Sequence, residues 1–158
     1  MPGTYFVTSR AWESRSLFAA VPACRIFVET LFHYRHQGAY RLHAFVLMPE
    51  HFHVLSSPAS CITLERAVQY IKGGSARRLG KELGLHFPVW QRGFSDHRIR
   101  DVEDYQTHVR YIEQNPVKRR LVELANQYPW SSGSGKFQLD EVPQGLKPWV
   151  DLAYQRHG

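Results

Sequence analysis

The stretch that most constrains this chain runs from Tyr40 to Ser57. It carries the apolar run AFVLM, breaks at Pro49-Glu50, and resumes as HFHVLSS. A short continuous apolar run rich in branched and aromatic residues is a strand buried on both faces, not one washed by water on alternate positions. Proline cannot donate to a strand ladder, so the break predicts a tight hairpin between two strands. A chain with such a hairpin needs a packed sheet, and two histidines enter at its turn.

The flanking patterns supply partners for that sheet. Thr4 to Ser9 (TYFVTS) reads as a first strand, and Gly93 to Arg100 (GFSDHRIR) as a fourth. A helix is expected from about Pro22 to Tyr34, where Ile26, Phe27, Thr30, Leu31 and Tyr34 recur at helical spacing before Gly38. A second spans Ile62 to Leu83 with Leu64, Val68, Ile71 and Leu79 on one side, and Gly73-Gly74 is expected to bend it. A third begins at the capping residue Asp101 and is expected to end near Asn115, because Pro116 disfavours the helical conformation of the residue before it. Strand, helix, strand, strand, helix, strand is the split arrangement of the α+β, ferredoxin-like (RRM-like) fold: an antiparallel sheet with helices packed on one face. Beyond Tyr128 the chain carries Pro129, Pro143 and Pro148 and reads as an extended tail that docks through Trp130 and Trp149.

At 158 residues the chain is sized for one domain. Its apolar stretches fall below the ~18 residues of a membrane span, and Cys24 and Cys61 lack metal-site spacing, so a soluble, cytoplasmic protein with two reduced thiols is expected. The net charge is +6, with 20 basic against 14 acidic residues. Residues 1–61 contribute +2, residues 62–120 contribute +5, and residues 121–158 contribute −1. Charge added for solubility alone would be spread out, so the middle third is the place for a polyanionic partner. Lys72, Arg77, Arg78 and Lys81 on the second helix, Arg98 and Arg100 on the fourth strand, and Lys118, Arg119 and Arg120 after the third helix are the candidate phosphate contacts. Each alone reads equally well as a solvated surface charge. Trp90 and Phe94 suit base stacking or, more ordinarily, the core.

His51 and His53 flank Phe52 on a strand, so both imidazoles project to one side and can share a metal. Nine histidines over 158 positions produce about one half of such a pair by chance, so the pair gains weight only from its place at the hairpin. On the third helix Val102, Tyr105, Val109 and Ile112 form the core stripe, while His108, Tyr111 and Asn115 share an adjacent face. Tyr111 is then either a half-buried aromatic with its hydroxyl in water or a nucleophile.

Four segments in order, YFVTSR (Tyr5 to Arg10), AFVLMPEHFHVL (Ala44 to Leu55), WQRGFSDHRIR (Trp90 to Arg100) and YIEQNPVKRRLV (Tyr111 to Val122), with YPWSS at Tyr128 to Ser132, resemble the successive motifs of the REP-associated tyrosine transposases. These are insertion-sequence single-strand transposases of the HUH endonuclease superfamily. The resemblance implies a catalytic domain over residues 1–133 and an extended C-terminal tail over 134–158. It implies a metal-dependent enzyme that cleaves and rejoins single-stranded DNA at hairpin-forming repeats through a covalent 5′-phosphotyrosine. Tyr111 matches the nucleophile, His51 and His53 the histidines that bind Mg²⁺ or Mn²⁺, Asn115 an amide-bearing third ligand, and His97 a neighbour of the active site. Relatives act as monomers or homodimers. A non-catalytic single-stranded nucleic-acid-binding module on the same fold is the alternative, but it leaves the paired histidines without a purpose.

Overall fold

The computed structural model describes residues 3–146. Seven main elements follow in chain order: β1 (Tyr5–Arg10), α1 (Val21–His36), β2 (Tyr40–Met48), β3 (His51–Pro58), α2 (Leu64–Leu83), β4 (Ser95–Arg98) and α3 (Val102–Lys118). The sheet has the order β2-β3-β1-β4 with every neighbouring pair antiparallel, which is the ferredoxin-like topology. Pro49-Glu50 makes the two-residue hairpin, and β3 lies inside the sheet with partners on both edges.

The alternation of side chains on the strands divides the interior into two cores. Phe45, Leu47, Phe52 and Val54 face α1 and α2, meeting Phe27, Leu31, Val68, Ile71 and Leu79. Ala44, Val46, Met48 and Leu55 face the other way and pack with Tyr105 and Ile112 of α3 and with Ile99 and Tyr128. The crossover helices α1 and α2 thus share one face as expected, whereas α3, which follows the split βαββαβ unit, departs from that expectation and covers the opposite face, where the outward side chains of β2 and β3 offer a second apolar surface. Trp90 belongs to the first core, stacked on Phe18 at 5.1 Å with its ring N–H donated to Ser75 Oγ at 3.0 Å. Phe94 packs at the edge of that core.

Three local expectations are corrected. Helix α2 runs unbroken through Gly73-Gly74. Gly74 is there for a close approach: a Cβ at this position would lie 2.8 Å from the Tyr34 ring on α1. Helix α3 likewise continues past Asn115, with Pro116 inside its last turn. Near a C-terminus the missing N–H removes one bond; Arg119 still donates to the Asn115 carbonyl at 3.0 Å, and Leu121, past the helix end, closes the terminus by donating to the Pro116 carbonyl at 2.9 Å. Leu64 opens α2 two residues later than expected, because the Thr63 hydroxyl caps it by accepting from the Arg66 N–H.

The segment after Tyr128 covers the outer edge of β2. Leu47 N–H donates to the Trp130 carbonyl, Ser132 Oγ bonds the backbone of Phe45, and Asp140 exchanges bonds with the backbone of Leu42. Phe137 stacks on Phe32, and Arg35 grips the Asp140 carboxylate with two bonds of 2.9 and 3.0 Å. An otherwise open strand edge is closed by the chain's own continuation. Trp149 lies outside the described residues. No helix among those described is long and apolar enough to cross a membrane.

Candidate active site

The hairpin places His51 opposite Arg10 and Met48, and His53 opposite Thr8 and Val46, so neighbouring strands hold both backbones. Both rings project toward α3, while Phe52 between them enters the other core. They are 4% and 5% exposed, and their Nε2 atoms lie 3.1 Å apart. His51 Nδ1 meets Glu50 Oε1 at 3.0 Å, and His53 Nδ1 meets Thr8 Oγ1 at 2.7 Å. Burial pushes both imidazoles down, His53 to about 3, where its neighbours His51 and Arg10 add to the effect. Both rings are therefore neutral at pH 7, the form that ligates metals.

Glu50 is itself fixed. Burial alone would raise its carboxyl, but Arg119, 2.7 Å away, and His51 outweigh that and hold it below the ordinary range. An ionised Glu50 accepts the Nδ1 proton of His51 and leaves the His51 Nε2 lone pair free, which is how carboxylates orient metal-bound histidines. Thr8 can serve His53 in the same way, because its hydroxyl accepts when Nδ1 carries the proton.

Helix α3 brings the remaining residues. The Tyr111 ring stands edge-on to His53, with centroids 5.3 Å apart, and packs against Phe6 at 5.8 Å. Its side chain is 42% exposed, and Lys118 Nζ lies 5.9 Å from its ring centre. One turn beyond Tyr111 is Asn115, and one turn beyond that is Arg119, the partner of Glu50. Tyr111 thus touches His53 and Arg119 touches Glu50, and Asn115 lies between them on the same helical stripe. Asn115 is 6% exposed, and its Oδ1 is buried without a hydrogen-bond partner among the described residues. Buried oxygens without partners are rare and require an explanation. The donor set, two neutral imidazoles and one unpaired amide oxygen, fits a divalent cation.

His97 lies on the same side of the sheet but in a second cluster. Its Nε2 is 2.8 Å from Asp104 Oδ2, and His108 Nδ1 is 3.2 Å from Asp104 Oδ1. The candidate DNA contacts separate by location. Arg77, Arg78 and Lys81 line a groove between α1 and α2, on the layer opposite α3, where Arg78 is bound to Glu29 and Glu82. Lys72 donates to the carbonyls of Gln91 and Gly93, so it ties down the loop before β4. Arg98 and Arg100 line a concavity of about 1210 Å³ at the far end of the sheet from His51. Lys118 and Arg119 adjoin Tyr111 and Glu50, and Arg120 is exposed just past the helix end.

The motif alone does not reveal Glu50, Thr8 or Phe6. Glu50 had a visible signal, a carboxylate directly before the first histidine, whereas Thr8 and Phe6 reach the site only through the pairing of β1 with β3.

Residues 19–115 match the family described as Transposase IS200 like. This chain belongs to the IS200-like transposase family. A REP-associated tyrosine transposase of Escherichia coli is 29% identical over 152 residues, covering 96% of this chain and 85% of that protein. A Haemophilus influenzae protein whose name carries the same words is 31% identical over 111 residues. That alignment covers 64% of this chain and 63% of the relative, so the match spans less than two thirds of it. Among solved structures, a REP-associated tyrosine transposase bound to a REP hairpin superposes with a TM-score of 0.71 at 23% identity, over 94% of this chain and 93% of that one. The motif resemblance to REP-associated tyrosine transposases is thus supported by relatives of this IS200-like transposase, and the structural neighbour shares its fold.

Proposed function

We propose that this IS200-like transposase is a metal-dependent single-strand DNA endonuclease and strand transferase whose nucleophile is Tyr111. The observation that carries the reading is the stripe Tyr111, Asn115, Arg119 laid against His51, His53 and Glu50, all within one chain. His51, His53 and Asn115 are the residues that would hold Mg²⁺ or Mn²⁺. When bound, the cation supplies charge stabilisation at the scissile phosphate. Histidine ligation is less usual for Mg²⁺, which makes Mn²⁺ an equally suitable occupant.

The remaining steps belong to side chains. The Tyr111 oxygen attacks phosphorus and loses its proton, while the bond from phosphorus to the 3′-oxygen breaks and that oxygen leaves as a hydroxyl. The product is a 5′-phosphotyrosine, and attack by another 3′-hydroxyl reverses the sequence, so no nucleotide cofactor is consumed. Lys118 beside the Tyr111 ring favours the negative charge that develops on the phenol and phosphate. Exposure of Tyr111 leaves room for a strand, and Phe6 behind it limits its rotation.

The substrate is a single strand flanking a hairpin-forming repeat. Support comes from the names of the relatives and from the neighbour bound to a REP hairpin. The test is incubation with hairpin oligonucleotides and Mn²⁺, followed by denaturing electrophoresis for a covalent adduct. The parent forms it, and Tyr111→Phe loses it while binding the hairpin within about twofold. An adduct of undiminished yield in Tyr111→Phe removes the nucleophile assignment. No adduct from the parent across varied hairpins favours the non-catalytic binding module.

A further inference from the structure

His97, Asp104 and His108 form a cluster that the proposed chemistry does not use. His97 comes from β4, and Asp104 and His108 come from the first two turns of α3. A ligand atom of each lies within 4.8 Å of the others. Asp104 sits at the centre: Oδ2 faces His97, Oδ1 faces His108, and the Arg100 N–H is bonded to Oδ2 at 2.9 Å. Its carboxyl is held below the ordinary range, since these bonds outweigh the opposing effect of burial, so it is ionised at pH 7.

We propose that these three residues form a second divalent-cation site, of the zinc type, which staples the start of α3 to β4. Two nitrogens and one carboxylate oxygen are the donor set of Zn²⁺ sites with an open position, whereas Mg²⁺ prefers oxygen. Ligand atoms around tetrahedral Zn²⁺ stand about 3.3 Å apart. The separations of 2.8 and 3.2 Å from Asp104 to the two imidazoles need only small adjustments. His97 can make them because its side chain is 41% exposed, and that exposure also gives the ion a way in. His108 Nδ1 lies 2.8 Å from the Asp104 carbonyl, so the ring passes its proton to Nε2 when Nδ1 becomes a ligand. Arg100, whose Nε is 3.5 Å from Asp104 and whose side chain is 77% exposed, swings into solvent as the cation arrives.

The site bears on the nucleophile through one column of rings. His97 stacks on His108 at 4.8 Å, His108 meets Phe6 at 4.8 Å, and Phe6 touches both His53 and Tyr111. Fixing the cluster fixes the helix that carries Tyr111. None of its residues belongs to the set assigned to the catalytic cation, so the two sites can be tested apart.

The experiment uses the full chain carrying His51→Ala and His53→Ala, stripped with a chelator and titrated with Zn²⁺ by calorimetry, without DNA. One equivalent is expected to bind, with affinity reduced at least tenfold by the further change His97→Gln and no saturable binding after His97→Gln with His108→Gln. Because His97 is half exposed, His97→Gln keeps the fold, and circular dichroism verifies it. Absence of Zn²⁺ binding in the His51/His53 background overturns the site, as does binding that His97→Gln leaves unchanged, which would locate the ion on other histidines. Adduct formation by the parent and its dependence on Tyr111 are unaffected by either outcome.

Discussion

Arg119 Nη2 lies 2.7 Å from Glu50 Oε1, so one ion pair ties the end of α3, the helix that carries Tyr111, to the turn that precedes His51 and His53. Sequence position alone makes Arg119 a candidate phosphate contact, and this geometry adds a second candidate role, support for Glu50 and through it for His51.

The two roles separate experimentally. Glu50→Gln is expected to weaken Mn²⁺ binding about 10- to 100-fold, as loss of an outer partner of a metal-bound histidine does, and Arg119→Ala less so. A pure phosphate contact would instead reduce the slope of log affinity for hairpin DNA against log salt by about one in Arg119→Ala, with Mn²⁺ affinity intact. Calorimetry and salt titration of both variants distinguish them.

Asn115→Leu is expected to reduce Mn²⁺ affinity and adduct yield at least tenfold while leaving thermal stability equal or higher. Its Oδ1 is buried without a partner among the described residues, and removing such a group relieves a penalty of about 1–3 kcal/mol. A side chain kept only for packing would show the reverse, lower stability with unchanged metal affinity.

The paired glycines of α2 should respond in opposite directions. Gly74→Ala forces a Cβ to 2.8 Å from the Tyr34 ring, which is stacked on Tyr70 and cannot retreat, so a loss of about 1–3 kcal/mol is expected. Gly73→Ala meets only the flexible end of Gln69 at 3.3 Å and should gain about 0.5–1 kcal/mol from helix propensity. Chemical denaturation of the two variants measures both.

Acid sensitivity should be traceable in part to Asp140. The Arg35 guanidinium bonded to it, and the Leu42 N–H, hold its carboxyl below the usual range despite partial burial. A carboxyl depressed in the folded state stabilises above its unfolded pKa, and that stability is lost as pH falls through the folded value. Asp140→Asn should therefore lower stability by about 1–2 kcal/mol at pH 7 and flatten the decline between pH 5 and pH 3. Melting curves across that range, parent against variant, check the sign.

Much of the fold was legible because hydrophobic periodicity is local. The AFVLM run, the Pro49-Glu50 break and the apolar stripes of the helices each report their own surroundings. The errors at Gly73-Gly74 and Pro116 arose where local preference gave way. A second helix needed space at Gly74, and at Pro116 the C-terminal turn of α3 could continue with one bond missing. The middle-third charge excess was countable, yet the linear count could not tell that Arg78 is engaged by two glutamates while Lys118 stands beside Tyr111.

Sequence alone determined the element order, the shared direction of His51 and His53, and the placing of Tyr111 and Asn115 one turn apart, because periods of two and 3.6 follow from backbone geometry. Only the tertiary structure decided that α3 covers the face onto which the histidines open. It also decided that Thr8 holds the outer nitrogen of His53, that Arg119 fixes Glu50, and that the segment after Tyr128 seals the β2 edge. Those outcomes depend on which strands pair and which cores close, contacts between residues 45 to 105 positions apart that no local pattern encodes.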